Sequence, residues 1–98
     1  MEVEEYYYPN GEKMAKYSKV NGKYEGEYLR WHLNGQLNQR YFYKNGKREG
    51  VGEGWYSNGQ MSFRNNYVND VWDGLQEAWD ESGKQTMNKM YKDGKVVK

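Results

Sequence analysis

Few residues of this chain are of the types that perform catalysis or bind metal ions. Cysteine is absent and His32 is the only histidine, so a zinc site made of the usual Cys and His ligands cannot be assembled. The carboxylates show no EF-hand spacing, and neither a G-x-S-x-G motif nor a phosphate-binding loop is present. We therefore expect no catalytic residue, no metal and no cofactor, and we predict that the protein is not an enzyme.

Aromatic and basic side chains are the residue types through which this chain can act. It contains 11 Tyr, 4 Trp and 2 Phe among 98 residues. Tyr, Trp and Arg supply much of the binding energy at protein interfaces, so an aromatic excess without catalytic groups predicts a protein-binding function. We predict that the partner-binding residues are Tyr24, Tyr28, Arg30, Trp31, Arg40, Trp55, Tyr56, Arg64, Trp72 and Trp79.

Turn-forming residue pairs recur along the chain at a constant interval. Asn-Gly or Ser-Gly pairs begin at residues 10, 34, 58 and 82, and a second series of Asn-Gly, Asn-Asp or Asp-Gly pairs begins at residues 21, 45, 69 and 93. Both series have a period of 24 residues, as does a third series formed by Gly26, Gly50 and Gly74. Such a period is typical of repeat proteins. We predict one domain over residues 1–98, with four repeats at approximately 3–26, 27–50, 51–74 and 75–98.

The paired turns predict consecutive β-hairpins. Asn, Asp and Gly tolerate the positive φ that both central positions of a type I′ turn need, so we expect this turn in both series. The segments between turns have strand length, which predicts eight strands in an all-β, elongated, single-layer antiparallel meander. The glycine series inside the longer strands indicates bulges or close approach by a neighbouring side chain. Residues 75–92 also suit a helix, but they keep the aromatic and turn positions, so we predict strands.

Aromatic residues at the repeat interval predict two ladders across the sheet. The first ladder is Tyr7, Trp31, Trp55 and Trp79. In the second, Lys19 takes the place of the ring in the first repeat, and the rings are Tyr43, Tyr67 and Tyr91. The rings either form the core or leave one ladder as an exposed groove, and both alternatives stay open. We expect the more exposed contact residues to be those outside the ladders, namely Tyr24, Tyr28, Tyr56 and Trp72.

Charged residues also recur at the repeat interval. One column is acidic and consists of Glu25, Glu49 and Asp73, and another is basic and consists of Lys16, Arg40 and Arg64. Solvated charges of this kind discourage aggregation between sheets. The alternative is that a column forms a docking stripe for a partner of opposite charge.

Two features resemble functional motifs only superficially. Residues 50–54 read Gly-Val-Gly-Glu-Gly, but no predicted helix follows them, so we interpret their glycines as strand positions under aromatic rings. His32 has Tyr8, Tyr56 and Asp80 as its counterparts in the other repeats. The architecture does not require an imidazole there, and we interpret His32 as a surface residue beside a turn.

Overall charge and the first residues narrow the functional classes further. The net charge is +1, from 15 basic and 14 acidic residues, so the protein has no strong field that attracts nucleic acid or an anionic membrane. Residues 1–5 are acidic in character and no apolar run follows them. We expect neither a signal peptide nor a transmembrane segment, and therefore a cytoplasmic location.

The segment from Glu27 to Leu37, continued by residues 43–50, resembles the variant MORN repeat. Residues 24–28, Tyr-Glu-Gly-Glu-Tyr, are similar to the opening of the standard MORN motif, whereas Asp70 replaces the turn glycine in the third repeat. The resemblance covers nearly the whole chain. It implies a protein-binding role like that of antitoxin or immunity proteins, in which the sheet covers a toxin, an effector or a scaffold component.

Three further interpretations accompany this resemblance. Standard MORN arrays are linked to phospholipid membranes, so a peripheral membrane module is the alternative function, and Trp and Tyr beside Lys suit the membrane interface. Arg30 and Arg40 adjoin stacking rings, as in proteins that bind single strands, but the acidic column opposes nucleic acid and we expect none. Exposed edge strands leave a homodimer open.

Overall fold

The computed structural model describes residues 1–97, which form one antiparallel sheet. The strands are β1 (Glu2–Tyr7), β2 (Lys13–Val20), β3 (Lys23–Tyr24), β4 (Gly26–Trp31), β5 (Leu37–Lys44), β6 (Lys47–Arg48), β7 (Gly50–Trp55), β8 (Met61–Val68), β9 (Val71–Trp79), β10 (Gln85–Lys92) and β11 (Lys95–Val96). Their order in the sheet is β1-β2-β4-β5-β7-β8-β9-β10-β11, with β3 beside β2 and β6 beside β5. The molecule is elongated and flat, 45 × 37 × 11 Å, which is one layer. The predicted all-β single-layer meander is confirmed.

The repeat interval is preserved in the strands. β2, β5 and β8 are each eight residues long and begin at Lys13, Leu37 and Met61. In the segment 75–92, where a helix was the competing interpretation, the chain forms most of β9 and all of β10. Strands were therefore the correct prediction for the fourth repeat as well.

The two series of turns have different geometries. In the second series both central residues have positive φ, for example 52° at Asn45 and 81° at Gly46, which is the predicted type I′ turn. In the first series only the glycine has positive φ, for example 89° at Gly35, whose N–H donates to the carbonyl of His32. The type I′ prediction was wrong there, because the glycine closes a longer loop in which the asparagine keeps a negative φ.

The chain forms eleven strands rather than the predicted eight. Bulges split off the short strands β3 and β6, and β11 follows the last type I′ turn. Gly26 and Gly50 have φ of 85° and 81°, and each separates a two-residue strand from the strand that follows. At the first break the N–H of Glu25 still donates to the carbonyl of Ser18, at 3.0 Å. The glycine series therefore marks bulges, which was one of the two structures predicted for it, the other being close approach by a neighbouring side chain.

Two glycines of residues 50–54 lie under aromatic rings, as predicted. A Cβ at Gly52 would stand 2.6 Å from the Tyr41 ring, and a Cβ at Gly54 would overlap the ring of Phe63. The same prediction was wrong for Gly50, where a Cβ would meet open space. Glycine at positions 52 and 54 thus lets rings from the neighbouring strands lie flat on the backbone of β7.

A one-layer sheet of this size buries very little. Within residues 1–97 the buried apolar residues are Ala15 and Tyr67, and Gln76 has no exposed surface. Strand alternation gives the sheet two unlike faces. The aromatic face carries Tyr6, Tyr17, Tyr24, Tyr28, Tyr41, Tyr43, Phe63, Tyr67, Trp72 and Tyr91, and the charged face carries the row Glu5, Lys16, Leu29, Arg40, Glu53, Arg64, Glu77 and Asn88.

Candidate functional site

Rings on the aromatic face form a continuous cluster over the first three repeats. Tyr17 stacks on Tyr28 with ring centres 5.3 Å apart, and Tyr24 meets the edge of Tyr17 at 5.0 Å. Tyr24 also contacts Tyr43, at 5.1 Å. The cluster continues through Tyr41 to Phe63 and Tyr67, at 6.2 and 6.0 Å. Neighbouring rings that touch across strands stabilise the sheet and also present one broad apolar surface.

Most of these rings are half-buried rather than enclosed. Tyr67 is 6% exposed, whereas Tyr6 at the edge of the cluster is 45% exposed. No second layer covers this face within residues 1–97, because the described chain is a single sheet 11 Å thick. The second predicted ladder lies on this face, but its rings pack on neighbours outside the ladder. Tyr43 and Tyr67 both contact Tyr41. Tyr91 contacts Trp72 instead.

Cations lie on the aromatic face beside the rings. Arg48 lies over Tyr67 at 4.6 Å and over Tyr41 at 5.6 Å, and Lys19 lies over Tyr24 at 5.4 Å. Arg30 donates to the hydroxyl of Tyr28 at 3.2 Å. Cations over ring faces are favourable, and they give this surface fixed donors for a partner's acceptors.

Two pKa shifts follow from this arrangement. The side chain of Arg48 donates a hydrogen bond to the Asp70 carboxylate and so lowers the pKa of Asp70 below its ordinary value. Burial, followed by the neighbouring Tyr67, raises the pKa of Tyr41 to about 12. Asp70 has φ of 71° where the other type I′ turns carry glycine, and its ion pair with Arg48 ties this turn to the preceding repeat.

The basic column lies on the charged face and is neutralised by neighbouring strands. Arg40 pairs with Glu53 at 2.6 Å, and Arg64 pairs with Glu77 at 3.2 Å. Lys16 lies 3.8 Å from Glu5. Positive and negative charges therefore alternate along this row. The interpretation of the basic column as a docking stripe of one sign was wrong.

The acidic column joins successive repeats. The carboxylate of Glu25 accepts the backbone N–H of Asn45 at 3.1 Å, and Glu49 accepts that of Asn69 at 2.9 Å. Asp73 does the same for Asp93, at 3.3 Å. Each carboxylate thus fixes the type I′ turn of the following repeat. Neither proposed interpretation of this column, a solvated edge or a docking stripe, describes that role.

Residues beside the first turns also connect repeats. The Tyr8 hydroxyl donates to the Trp31 carbonyl and the Tyr56 hydroxyl to the Trp79 carbonyl, both at 2.8 Å. His32 occupies the same position, with its Nε2 atom 2.7 Å from the carbonyl oxygen of Trp55. This position requires a donor, so His32 is more than a surface residue beside a turn. Tyr56 is likewise engaged within the array rather than free for contact.

The predicted contact residues do not form one site. Tyr24, Tyr28, Arg30 and Trp72 lie on the aromatic face, whereas Arg40 and Arg64 lie on the charged face. Trp31 follows Arg30 in β4 and so points to the opposite face, and Trp55 and Trp79 take the equivalent positions. Tyr24, Tyr28 and Trp72 were expected to be the more exposed contact residues, but they are half-buried. The two tyrosines belong to the ring cluster, and Trp72 packs on Tyr91 at 5.0 Å.

Arg48 and seven rings of the aromatic face were missing from the predicted contact residues. The rings are Tyr6, Tyr17, Tyr41, Tyr43, Phe63, Tyr67 and Tyr91. Tyr17 and Tyr41 are 24 residues apart, and Tyr41 alternates with Tyr43 along β5. This period-two alternation was the available signal that these rings share one face. Arg48 and Tyr24 are also 24 residues apart, which places a cation and a ring in one column.

The described residues form neither a metal-binding cluster nor a membrane-spanning helix. Within residues 1–97, the side chains of His, Asp and Glu form no group of three or more that is placed to hold a metal ion. That part of the chain also has no helix with the length and apolar character needed to cross a membrane.

Comparison with protein families assigns the centre of the chain. Residues 24–47 and 48–69 each match the model of the MORN repeat variant. No curated protein and no solved structure matches the chain. The matches begin at Tyr24 and Arg48, three residues before the predicted first residues of the second and third repeats. The prediction of a single domain over residues 1–98 stays a prediction.

Proposed function

Since residues 24–69 match the MORN repeat variant in two tandem repeats, we propose that the chain is a non-catalytic module that binds a protein partner through its aromatic face. Repeats of this family are in general modules for interaction with proteins or membranes. The observation that carries the proposal is the continuous, half-exposed ring cluster on a sheet with no covering layer among the described residues.

The chemistry of this face suits a protein surface. Tyr and Arg are enriched at the centres of protein interfaces because each offers a large contact area together with a polar group. Arg30 and Arg48 are the basic side chains among the rings of β4 to β8, so the partner meets rings and donors there. The Asp70 carboxylate lies beside Arg48 and is paired with it. An interface of about 800 Å² per partner fits easily on a sheet of 45 × 37 Å.

The class of protein partner is a narrower proposal, which rests on the family resemblance. We propose a toxin, an effector or a scaffold component that is covered by the sheet, which gives an antitoxin or immunity role in the cytoplasm. Co-expression with the adjacent reading frames tests it directly. A stable complex that abolishes the partner's toxicity supports the role, and a neighbouring product that neither binds nor is inhibited argues against it.

Membrane binding is the second candidate, because lysines line one edge of the sheet. Lys23, Lys44 and Lys47 surround a shallow depression beside the type I′ turns, next to the strand ends that carry Tyr24 and Tyr43. Lysines beside aromatic rings favour an anionic membrane surface. Co-flotation with anionic vesicles that disappears in Lys44→Ala/Lys47→Ala supports this candidate, and an absence of co-flotation at low salt removes it.

Matched variants on the two faces test the main proposal. Tyr24→Ala and Arg30→Ala alter the aromatic face, and Phe42→Ala removes a ring that is 43% exposed and paired with Glu27 on the other face. After circular dichroism has shown intact folds, a purified partner identified by affinity capture should bind Phe42→Ala normally and bind the other two at least tenfold more weakly. Equal losses for all three variants, or a loss confined to Phe42→Ala, would reject the aromatic face.

The edge strands and nucleic acid require separate measurements. A homodimer through β1 and β10 stays a prediction, and sedimentation at increasing protein concentration distinguishes it from a monomer. We expect no nucleic-acid binding. Oligonucleotide binding that weakens steeply with salt would contradict that expectation.

A further inference from the structure

Five Asn-Gly pairs in this chain share a chemical liability, at Asn10, Asn21, Asn34, Asn45 and Asn58. The backbone nitrogen of a following glycine can attack the side-chain amide carbon of asparagine. A new C–N bond closes a succinimide ring, the original C–N bond of the side chain breaks, and ammonia leaves with the proton. Water then opens the ring to aspartate or isoaspartate. We propose that Asn21 is a site of spontaneous deamidation and that the fold protects the other four asparagines.

Asparagines of the first turn series are held by both ends of their side chains. Asn34 Oδ1 accepts the N–H of Gln36 at 3.0 Å, and its Nδ2 donates to the carbonyl of Ser57 at 2.8 Å. The attacking nitrogen is occupied as well, because the Gly35 N–H donates to His32. Equivalent bonds are present at Asn10 and at Asn58. Ring closure at these positions must first break several hydrogen bonds.

Asn45 is protected by contacts with the preceding repeat. The N–H of Gly46, which is the attacking group, donates to the carbonyl of Tyr24 at 2.9 Å. The N–H of Asn45 itself donates to the carboxylate of Glu25 at 3.1 Å. Both bonds hold the turn in its left-handed conformation, which differs from the extended arrangement that ring closure needs.

Asn21 has the same turn without these bonds. Its φ is 52°, as at Asn45, and Gly22 has φ of 78° against 81° at Gly46, so backbone geometry does not distinguish the two sites. Within residues 1–97, no hydrogen bond is found from the Gly22 N–H, the Asn21 N–H or the Asn21 side chain. Both residues are exposed. The turn at Asn21 therefore opens at a lower free-energy cost than the turn at Asn45, and no hydrogen bond has to break before the Gly22 nitrogen attacks.

The product would alter a corner of the aromatic face. Aspartate adds a negative charge between Lys19 and Lys23, and isoaspartate lengthens the backbone of a two-residue turn. β3, which follows directly, holds Tyr24 against Tyr17 and Tyr43. Deamidation at Asn21 thus adds a charge and loosens one end of the ring cluster, whereas deamidation elsewhere would be a minor product.

Peptide mapping by mass spectrometry tests the assignment on the full chain. After incubation at mildly alkaline pH, the one-dalton mass increase should accumulate faster at Asn21 than at Asn45. Two hydrogen bonds of ordinary strength correspond to a rate ratio of about thirtyfold, and we expect at least about fivefold. No detectable conversion at Asn21, or equal conversion at Asn45 or Asn34, would overturn the proposal.

The variant Glu25→Ala tests the cause of the difference. It removes the carboxylate that holds the Asn45 N–H, so conversion at Asn45 should rise towards that at Asn21, while the rate at Asn21 stays unchanged. Hydrogen exchange of the unmodified chain provides a readout that needs no variant, because the Gly22 amide should exchange faster than the Gly46 amide. Equal exchange of the two amides would contradict the mechanism.

Discussion

Gln76 substitutes for a missing strand partner, and its removal should destabilise the sheet strongly. Asn65 pairs with Gln76 and Tyr67 pairs with Trp72, so three residues of β9 stand opposite Asn66 alone. The Gln76 side chain fills that gap. Its Oε1 accepts the Asn66 N–H at 3.2 Å, and its Nε2 donates to the Asn66 carbonyl at 2.9 Å. With no exposed surface, this amide acts as a peptide group within the ladder.

Gln76→Leu keeps the approximate size of the side chain and removes both hydrogen bonds. The N–H and the carbonyl of Asn66 then lose their partners at a partly buried site. Each unpaired group costs about 1–3 kcal/mol, which the greater apolar character of leucine offsets in part. We expect a net loss of about 2–4 kcal/mol, a large share of the roughly 5–15 kcal/mol that stabilises a domain.

Urea unfolding followed by circular dichroism measures this loss. The midpoint should fall by about 1–2 M, at an unchanged slope. Gln39→Leu is the matched control, since Gln39 is half-buried on the same face and its side chain has no hydrogen bond within residues 1–97. The control should lose less than about 1 kcal/mol. Equal midpoints for the two variants would refute the role of Gln76.

Three other perturbations follow from the geometry of the aromatic face. Gly54→Ala should lower the free energy of unfolding by about 1–3 kcal/mol, because the added Cβ overlaps the Phe63 ring. In urea unfolding, the double variant Gly54→Ala/Phe63→Leu should recover part of this loss. Additive losses from the two substitutions would contradict the overlap. The lowered pKa of Asp70 means that its ion pair with Arg48 stabilises the fold at neutral pH and loses this effect as pH falls below about 4. The stability of Asp70→Gly relative to the parent should therefore increase as the pH is lowered. If the difference in unfolding free energy between the two proteins does not depend on pH, the ion pair is not its cause. Because the pKa of Tyr41 is raised to about 12, the contribution of Tyr41 to folding stability falls as pH rises from about 10 towards 12. Tyr41→Phe should therefore unfold at a higher pH than the parent. An identical midpoint of alkaline unfolding for the two proteins would contradict this prediction.

The strand order and strand lengths of this fold could be predicted from residue spacing, because the same turn sequence recurs at a constant interval. An Asn-Gly pair determines a turn without help from distant residues, and a constant interval between turns determines strand length and antiparallel order. The difference in backbone geometry between the two turn series could not be predicted, because Asn34-Gly35 and Asn45-Gly46 are identical as dipeptides. Their loop lengths depend on the hydrogen bonds of the flanking residues.

The candidate site was only partly predictable because it depends on register between strands. Tyr24 and Tyr28 were identified from composition, but their contacts with Tyr17 depend on how β3 and β4 pair with β2 on the two sides of Gly26. Contacts between repeats were missed for a similar reason, since the role of Glu25 depends on a turn 20 residues away. Gln76 gave no periodic signal, since its counterparts in the other repeats are Glu4, Tyr28 and Gly52.

Hydroxyl-radical footprinting of the free and partner-bound protein tests the central claim most directly. Tyr24, Tyr28 and Tyr43 should be oxidised in the free protein and protected in the complex, while Phe42 and Met90 on the opposite face keep their reactivity. Protection of Phe42 and Met90 with unchanged oxidation of the three tyrosines would contradict the proposal that the aromatic face binds the partner.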